Sequence, residues 1–123
     1  MGTNGLIVLV HDDENLSDIL LNTLLKKGFT VQGCKSVAEG LAALNGSSLE
    51  LAVVDVGLPD GEGWEIVRSL RSSGRPELTE LPVIMISSFP PNRKLIRQLK
   101  VNAYLQKPFA TPDLVEQVQG ILN

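Results

Sequence analysis

Four short apolar runs in this chain carry no polar alternation, and each leads into a residue that can handle a phosphate or a metal. Residues 6–10 (Leu-Ile-Val-Leu-Val) run into Asp12-Asp13-Glu14, and residues 51–54 stop on Asp55. Residues 83–86 stop on Ser87, and residues 103–105 lead to Lys107-Pro108. Continuous β-branched runs of this kind are the mark of strands covered by helices on both faces. Between them lie segments of helical period, so the chain reads as repeated βα units.

The first helix is predicted from Leu16, Ile19, Leu20 and Leu24 and stops at Gly28. Residues 29–33 form a short second strand. Ser36 stands three residues before Glu39, the spacing of a reciprocal cap, and opens a helix through Leu41 and Leu44 that ends near Asn45-Gly46. The stretch 57–61 reads as a loop by its turn residues. A third helix turns Trp64, Val67 and Leu70 inward, and residues 72–80 read as a polar surface loop. Pro90-Pro91 opens the fourth helix, with Ile96 and Leu99 on one side and Arg93, Arg97 and Lys100 along another. Thr111 caps the fifth, with Pro112 at its first position and Leu114, Val115, Val118, Ile121 and Leu122 as its buried stripe. Five strands and five helices follow. Right-handed crossovers with helices on both faces favour a doubly wound parallel sheet of order 2-1-3-4-5. Ligands in such sheets bind outside the carboxyl ends of the strands, at the switch point between strands one and three. Asp12-Asp13 and Asp55 end those two strands.

Length and charge narrow the classes. At 123 residues the chain has the size of one domain, 1–123 with a core of about 6–122. No apolar run approaches the roughly 20 residues of a membrane span, and the first five residues carry no basic side chain of a signal peptide. One cysteine, Cys34, fits a reducing, cytoplasmic setting and reads as a small buried hydrophobe. A net charge of −3 disfavours direct nucleic-acid or membrane binding. The stripe Arg93, Arg97, Lys100 is open to two readings, a solvated face or a partner surface.

The polar residues define the chemistry. Asp12, Asp13 and Asp55 crowd three carboxylates, which a hard divalent cation relieves. An all-oxygen set favours Mg2+ over zinc. Lys107 adds a point charge and Ser87 a hydroxyl, so that together with a cation they can hold phosphoryl oxygens while a carboxylate acts as nucleophile. The spacing leaves open which aspartate that is. His11 reads as a partly buried structural residue, and Trp64 as a core residue with no second aromatic beside it.

The segments at 9–14, 53–61, 82–87 and 104–109, in this order, resemble the signature segments of response-regulator receiver domains, a flavodoxin-like (βα)5 fold. The resemblance covers nearly the whole chain. It implies a phosphorylation-activated switch of two-component signalling, regulatory rather than enzymatic. Asp55 would be the phosphoacceptor, taking its phosphoryl group from a phosphohistidine on a histidine kinase or phosphotransfer protein. Asp13, Asp55 and the Gly57 carbonyl would bind Mg2+ directly and Asp12 through water. Lys107 and Ser87 would contact the phosphoryl oxygens, and Tyr104 would be the aromatic switch. Pro108 matches a residue often preceded by a cis bond. The face of the fourth helix, fifth strand and fifth helix would meet an output domain or a second copy. His11, Ser88, Lys100 and Pro90-Pro91 depart from the usual pattern. Three other functions compete. A pseudo-receiver would bind proteins without phosphoryl chemistry. An aspartyl phosphatase would place its nucleophile after the first strand and carry a cap. A flavin carrier would carry a hydroxyl- and glycine-rich loop where His11-Asp12-Asp13-Glu14 stands.

Overall fold

The computed structural model describes residues 5–46 and 48–122; residues 1–4, Ser47 and Asn123, which the predicted domain includes, lie outside them. Along the chain come β1 (Leu6–Val10), α1 (Glu14–Lys26), β2 (Thr30–Cys34), α2 (Val37–Ala43), β3 (Leu49–Asp55), β4 (Gly57–Leu58), β5 (Gly61–Glu62), α3 (Gly63–Arg71), α4 (Pro76–Thr79), β6 (Val83–Ser87), α5 (Arg93–Gln98), β7 (Ala103–Gln106) and α6 (Thr111–Leu122). The five long strands form one parallel sheet in the order β2-β1-β3-β6-β7, the predicted doubly wound topology.

Strand parity explains the unbroken apolar runs. Val8, Val10, Ala52, Val54, Val83 and Met85 point to one core, where Val37, Ile66 and Val67 of α2 and α3 meet them. Ile7, Leu9, Leu51, Val53, Ile84 and Ile86 point to the other, against Leu20 and Leu24 of α1 and Leu114 and Val118 of α6. Successive strand residues face opposite ways, so a sheet with two cores needs an apolar residue at every position of its central strands.

Several boundaries differ from the sequence reading. Pro90 and Pro91 do not open a helix; each proline pushes the residue before it out of helical geometry. The helix begins at Arg93 instead, with Asn92 capping it through the Leu95 amide (3.1 Å). The polar stretch 72–80 contains α4, opened by Pro76 and anchored by buried Leu78. Arg71 holds this turn in place, donating to the carbonyls of Leu78, Thr79 and Leu81 (3.3, 3.1 and 2.8 Å) and to those of Leu99 and Lys100 (2.7 and 3.2 Å). The loop 57–61 closes on itself as the β4–β5 hairpin. From its turn, Asp60 accepts the first amides of α2, Val37 N (2.7 Å) and Ala38 N (3.0 Å), and these bonds hold its carboxyl below the usual carboxylate range.

Ser36 caps α2 as predicted, but Glu39 reaches the amide of Lys35 rather than that of Ser36. Thr111 is the first residue of α6 rather than its cap. Ile19 faces solvent, 52% exposed, while Leu21 takes a place beside the core. Among the described residues no helix is long and apolar enough to cross a membrane.

Candidate functional site

The carboxyl end of the sheet gathers the polar residues. Asp55 is the last residue of β3 and is 2% exposed. Its Oδ1 accepts the Gly57 amide (3.1 Å) and its Oδ2 receives Lys107 Nζ (2.5 Å). Lys107 follows β7, its own amide donating to the Ser87 carbonyl (2.7 Å), and the Lys107–Pro108 bond is cis. Ser87 ends β6 fully buried, and its Oγ accepts the Phe89 amide (2.9 Å). Gly63 sets the depth of the site, because a Cβ there would lie 2.1 Å from the Asp55 carbonyl oxygen. Its amide instead donates to Val56 O (2.8 Å), which turns the chain back beside β3. Gly57 has open space where a side chain would stand.

The end of β1 is arranged differently from the sequence reading. Asp13 is the N-cap of α1, its exposed carboxylate accepting the Leu16 amide (3.2 Å). It is not among the residues whose ligand atoms converge. Among the described residues the converging group is His11, Asp12 and Asp55, with one donor atom from each lying within 4.8 Å of the others. The set is therefore not all-oxygen. His11 is fully buried rather than partly buried, and its amide donates to Cys34 O (2.8 Å). Its Nδ1 lies 3.1 Å from the Asp13 amide nitrogen and 3.3 Å from the Asp13 carbonyl oxygen. Its Nε2 stands 3.1 Å from Asp55 Oδ2 without forming a hydrogen bond to any group.

Burial, and then the nearby Lys107 cation, push the His11 imidazole below its ordinary pKa, against the opposing pull of Asp55. The imidazole is thereby favoured in its neutral form, the one that keeps a lone pair. Two carboxylates and a buried ring nitrogen without a hydrogen-bond partner make a donor set that suits a divalent cation. Burial raises the Cys34 thiol, in keeping with an inert core residue.

The sequence reading gives Asp13 the direct metal role and Asp12 the water-mediated one, although an aspartate immediately before a helix is also an ordinary cap. That signal was available at Asp13. Nothing comparable marks His11, because its role depends on which face the chain presents one residue beyond the strand.

Tyr104, on β7, is half-buried and donates its hydroxyl to the Phe89 carbonyl (2.8 Å). Its ring stacks on Trp64, with centroids 6.5 Å apart and planes at 19°, so Trp64 does have an aromatic neighbour, brought from 40 residues away in sequence. Arg93, Arg97 and Lys100 are exposed, and Lys100 takes a left-handed φ of 53° just past α5.

Comparison with known proteins places this geometry. Residues 7–119 match the family model of the response regulator receiver domain. The transcriptional regulatory protein GltR of Pseudomonas aeruginosa is 34% identical over 126 residues, spanning 100% of this chain and 51% of that protein. The phosphate regulon transcriptional regulatory protein PhoB of Rhizobium meliloti is 35% identical over 119 residues, spanning 95% of this chain and 52% of that protein. The chain thus covers about half the length of these relatives. Among solved structures, a CheY-like receiver domain from Methanospirillum hungatei superposes with a TM-score of 0.85 at 28% identity, covering 96% of this chain and 93% of the other. The non-phosphorylated HemR receiver domain of Leptospira biflexa, at 22% identity and a TM-score of 0.87, shares the fold, covering 98% of this chain and 95% of the other. The chain belongs to the receiver domains of two-component response regulators, regulatory signalling domains whose general role is that of a phosphorylation switch.

Proposed function

We propose that Asp55 is the phosphoacceptor of this switch and that its donor is a phosphohistidine on a histidine kinase or phosphotransfer protein. The observation that carries this is the buried Asp55 carboxylate held by Lys107 Nζ at 2.5 Å, at the carboxyl end of a parallel sheet. An Asp55 oxygen forms the new bond to phosphorus as the phosphorus–nitrogen bond to the donor imidazole breaks, and the electron pair leaves with the imidazole. Lys107 holds the carboxylate in place. It then lies within reach of a phosphoryl oxygen, with the Ser87 hydroxyl one strand away. Receiver domains generally bind Mg2+, and here Asp12, Asp55 and the Gly57 carbonyl would hold such a cation, with Asp13 kept to its capping role. A bound cation supplies neutralisation of the incoming dianion, which carboxylates alone would repel.

The output would run through the face of α5, β7 and α6, where Tyr104 and the exposed Arg93, Arg97 and Lys100 meet an output domain or a second copy. The chemistry is regulatory, limited to the domain's own phosphorylation and dephosphorylation. A buried free thiol at Cys34 accords with a cytoplasmic setting.

The test is incubation with acetyl phosphate and Mg2+, followed by intact-mass measurement. One phosphoryl adduct is expected on the parent chain and none on Asp55→Asn. Persistence of the adduct in that variant would move the acceptor elsewhere. Its absence from the parent would leave a binding module of the same fold.

A further inference from the structure

We propose that His11 is a direct metal ligand, and that with Asp12 and Asp55 it tunes this site toward first-row transition dications such as Co2+ or Zn2+ rather than Mg2+. The inference rests on reading this end of the sheet as a cation site. It goes beyond that reading in naming a nitrogen ligand and the class of ion that follows from it.

Three observations carry it. First, His11 is fully buried, and its Nε2 has no hydrogen-bond partner although it points at Asp55 Oδ2 from 3.1 Å. A buried polar atom left in this way is costly unless something fills its place. Second, one donor atom each from His11, Asp12 and Asp55 lies within 4.8 Å of the other two, close enough for one ion to reach all three. Third, His11 Nδ1 lies 3.3 Å from the Asp13 carbonyl oxygen. Metal-bound histidines almost always donate the far ring N–H to a carbonyl or carboxylate, which fixes the ring and directs the other nitrogen at the metal. The Asp13 amide also reaches Nδ1, donating to it from 3.1 Å, so loading the ion would exchange that bond for an Nδ1–H donation to the carbonyl and free the Nε2 lone pair.

The preference follows from ligand type. Mg2+ takes oxygen ligands, keeps several waters and gains little from imidazole. Affinity for nitrogen-bearing sites rises along the first-row dications from Mn2+ toward Cu2+, with Zn2+ also well served by imidazole. A third carboxylate at position 11 would add charge and suit Mg2+. A neutral imidazole adds a softer donor and no charge.

The experiment uses the untagged full chain in imidazole-free buffer. His11 is the chain's only histidine, so any imidazole signal belongs to it. X-ray absorption of the protein loaded with one equivalent of Co2+ should show imidazole scattering in the first coordination shell; an oxygen-only shell overturns the proposal. In calorimetric titrations, the ratio of Co2+ to Mg2+ affinity should fall by at least about tenfold in His11→Asp. An unchanged ratio in a folded His11→Asp, checked by circular dichroism, also overturns it. Should that variant not fold, the absorption spectrum of the parent decides alone. Failure of the phosphoacceptor reading is separately visible: no acetyl-phosphate adduct with any cation, while the imidazole signal stands. An adduct on Asp55 with an oxygen-only shell would retain that reading and remove this inference.

Discussion

At His11 the burial that leaves Nε2 without a hydrogen bond also makes protonation unfavourable in the folded state. Its folded pKa is depressed, first by burial and then by Lys107, while in the unfolded chain it returns to about 6.5. Between those two values the unfolded chain binds more protons than the folded one, so stability rises with pH across the window and is lost as pH falls below about 6.5. In EDTA, thermal midpoints should decline on acidification from pH 7 toward pH 5, and more steeply for the parent than for His11→Gln. Parallel profiles would mean that the ring titrates alike in both states. Gly57 carries a second expectation, about lifetime. Open space surrounds it, so Gly57→Met should fold normally and place a side chain where hydrolytic water approaches the acyl phosphate. Phosphate loss after donor removal should slow in Gly57→Met and quicken in Phe89→Ala. Equal decay in all three would assign the lifetime to Lys107, Ser87 and the cation. Asp55, Ser87 and Lys107 were legible in the sequence because each closes or follows an unbroken apolar run, and such runs end at one edge of a parallel sheet. The convergence of His11 rather than Asp13 on Asp55 was not, since which residue turns toward Asp55 depends on the backbone one residue past the strand.

Among the elements, β3 and α3 share the closest contact that the site depends on. Adding a methyl group at Gly63 drives it into the Asp55 carbonyl and Val54, so Gly63→Ala should cost about 1–3 kcal/mol in urea unfolding and displace Asp55. Gly57→Ala, with nothing to strike, is the control and should change little. Arg71→Lys tests a second joint. An ammonium cannot reproduce the guanidinium's fork of donors, and the carbonyls of α4 and those following α5 would be left short of partners, at about 1–3 kcal/mol. The central strands could be read in advance because two-sided burial demands apolar residues throughout. α4 could not, because one buried leucine in a polar stretch gives no period; only Pro76, a favourable first residue, hinted at it. The start of α5 was misplaced for the opposite reason: a proline is welcome at the first helical position, but two in succession bar the first from helical geometry.

Across the whole molecule, the proposed acceptor site and the α5–β7–α6 face meet at one residue. The Phe89 amide donates to Ser87 Oγ and its carbonyl accepts from the Tyr104 hydroxyl, so the two proposed switch residues hold opposite sides of one residue. If Ser87 turns its hydroxyl to a phosphoryl oxygen on Asp55, the Phe89 amide loses its partner and the loop is freed to move. Tyr104 then loses its carbonyl anchor, and its ring is free to leave its stack on Trp64. Phosphorylation can bias such an equilibrium only through a difference in contacts between the two states, and on the proposed reading Ser87 would supply it. The chain has one tryptophan, so Trp64 emission reports the change without labelling. Emission should shift on phosphorylation of the parent. Ser87→Ala should still accept phosphate but lose most of the shift. Tyr104→Phe removes the hydroxyl bond to Phe89 O; if the switched state lacks that bond, worth about 1 kcal/mol, the resting equilibrium should move about fivefold toward it. Its backbone NMR shifts at residues 88–104 should therefore lie partway along the line joining the parent's two states before any phosphate is added. Shifts off that line, or an emission change in Ser87→Ala equal to the parent's, would mean that Phe89 is not the joint between the acceptor and the output face.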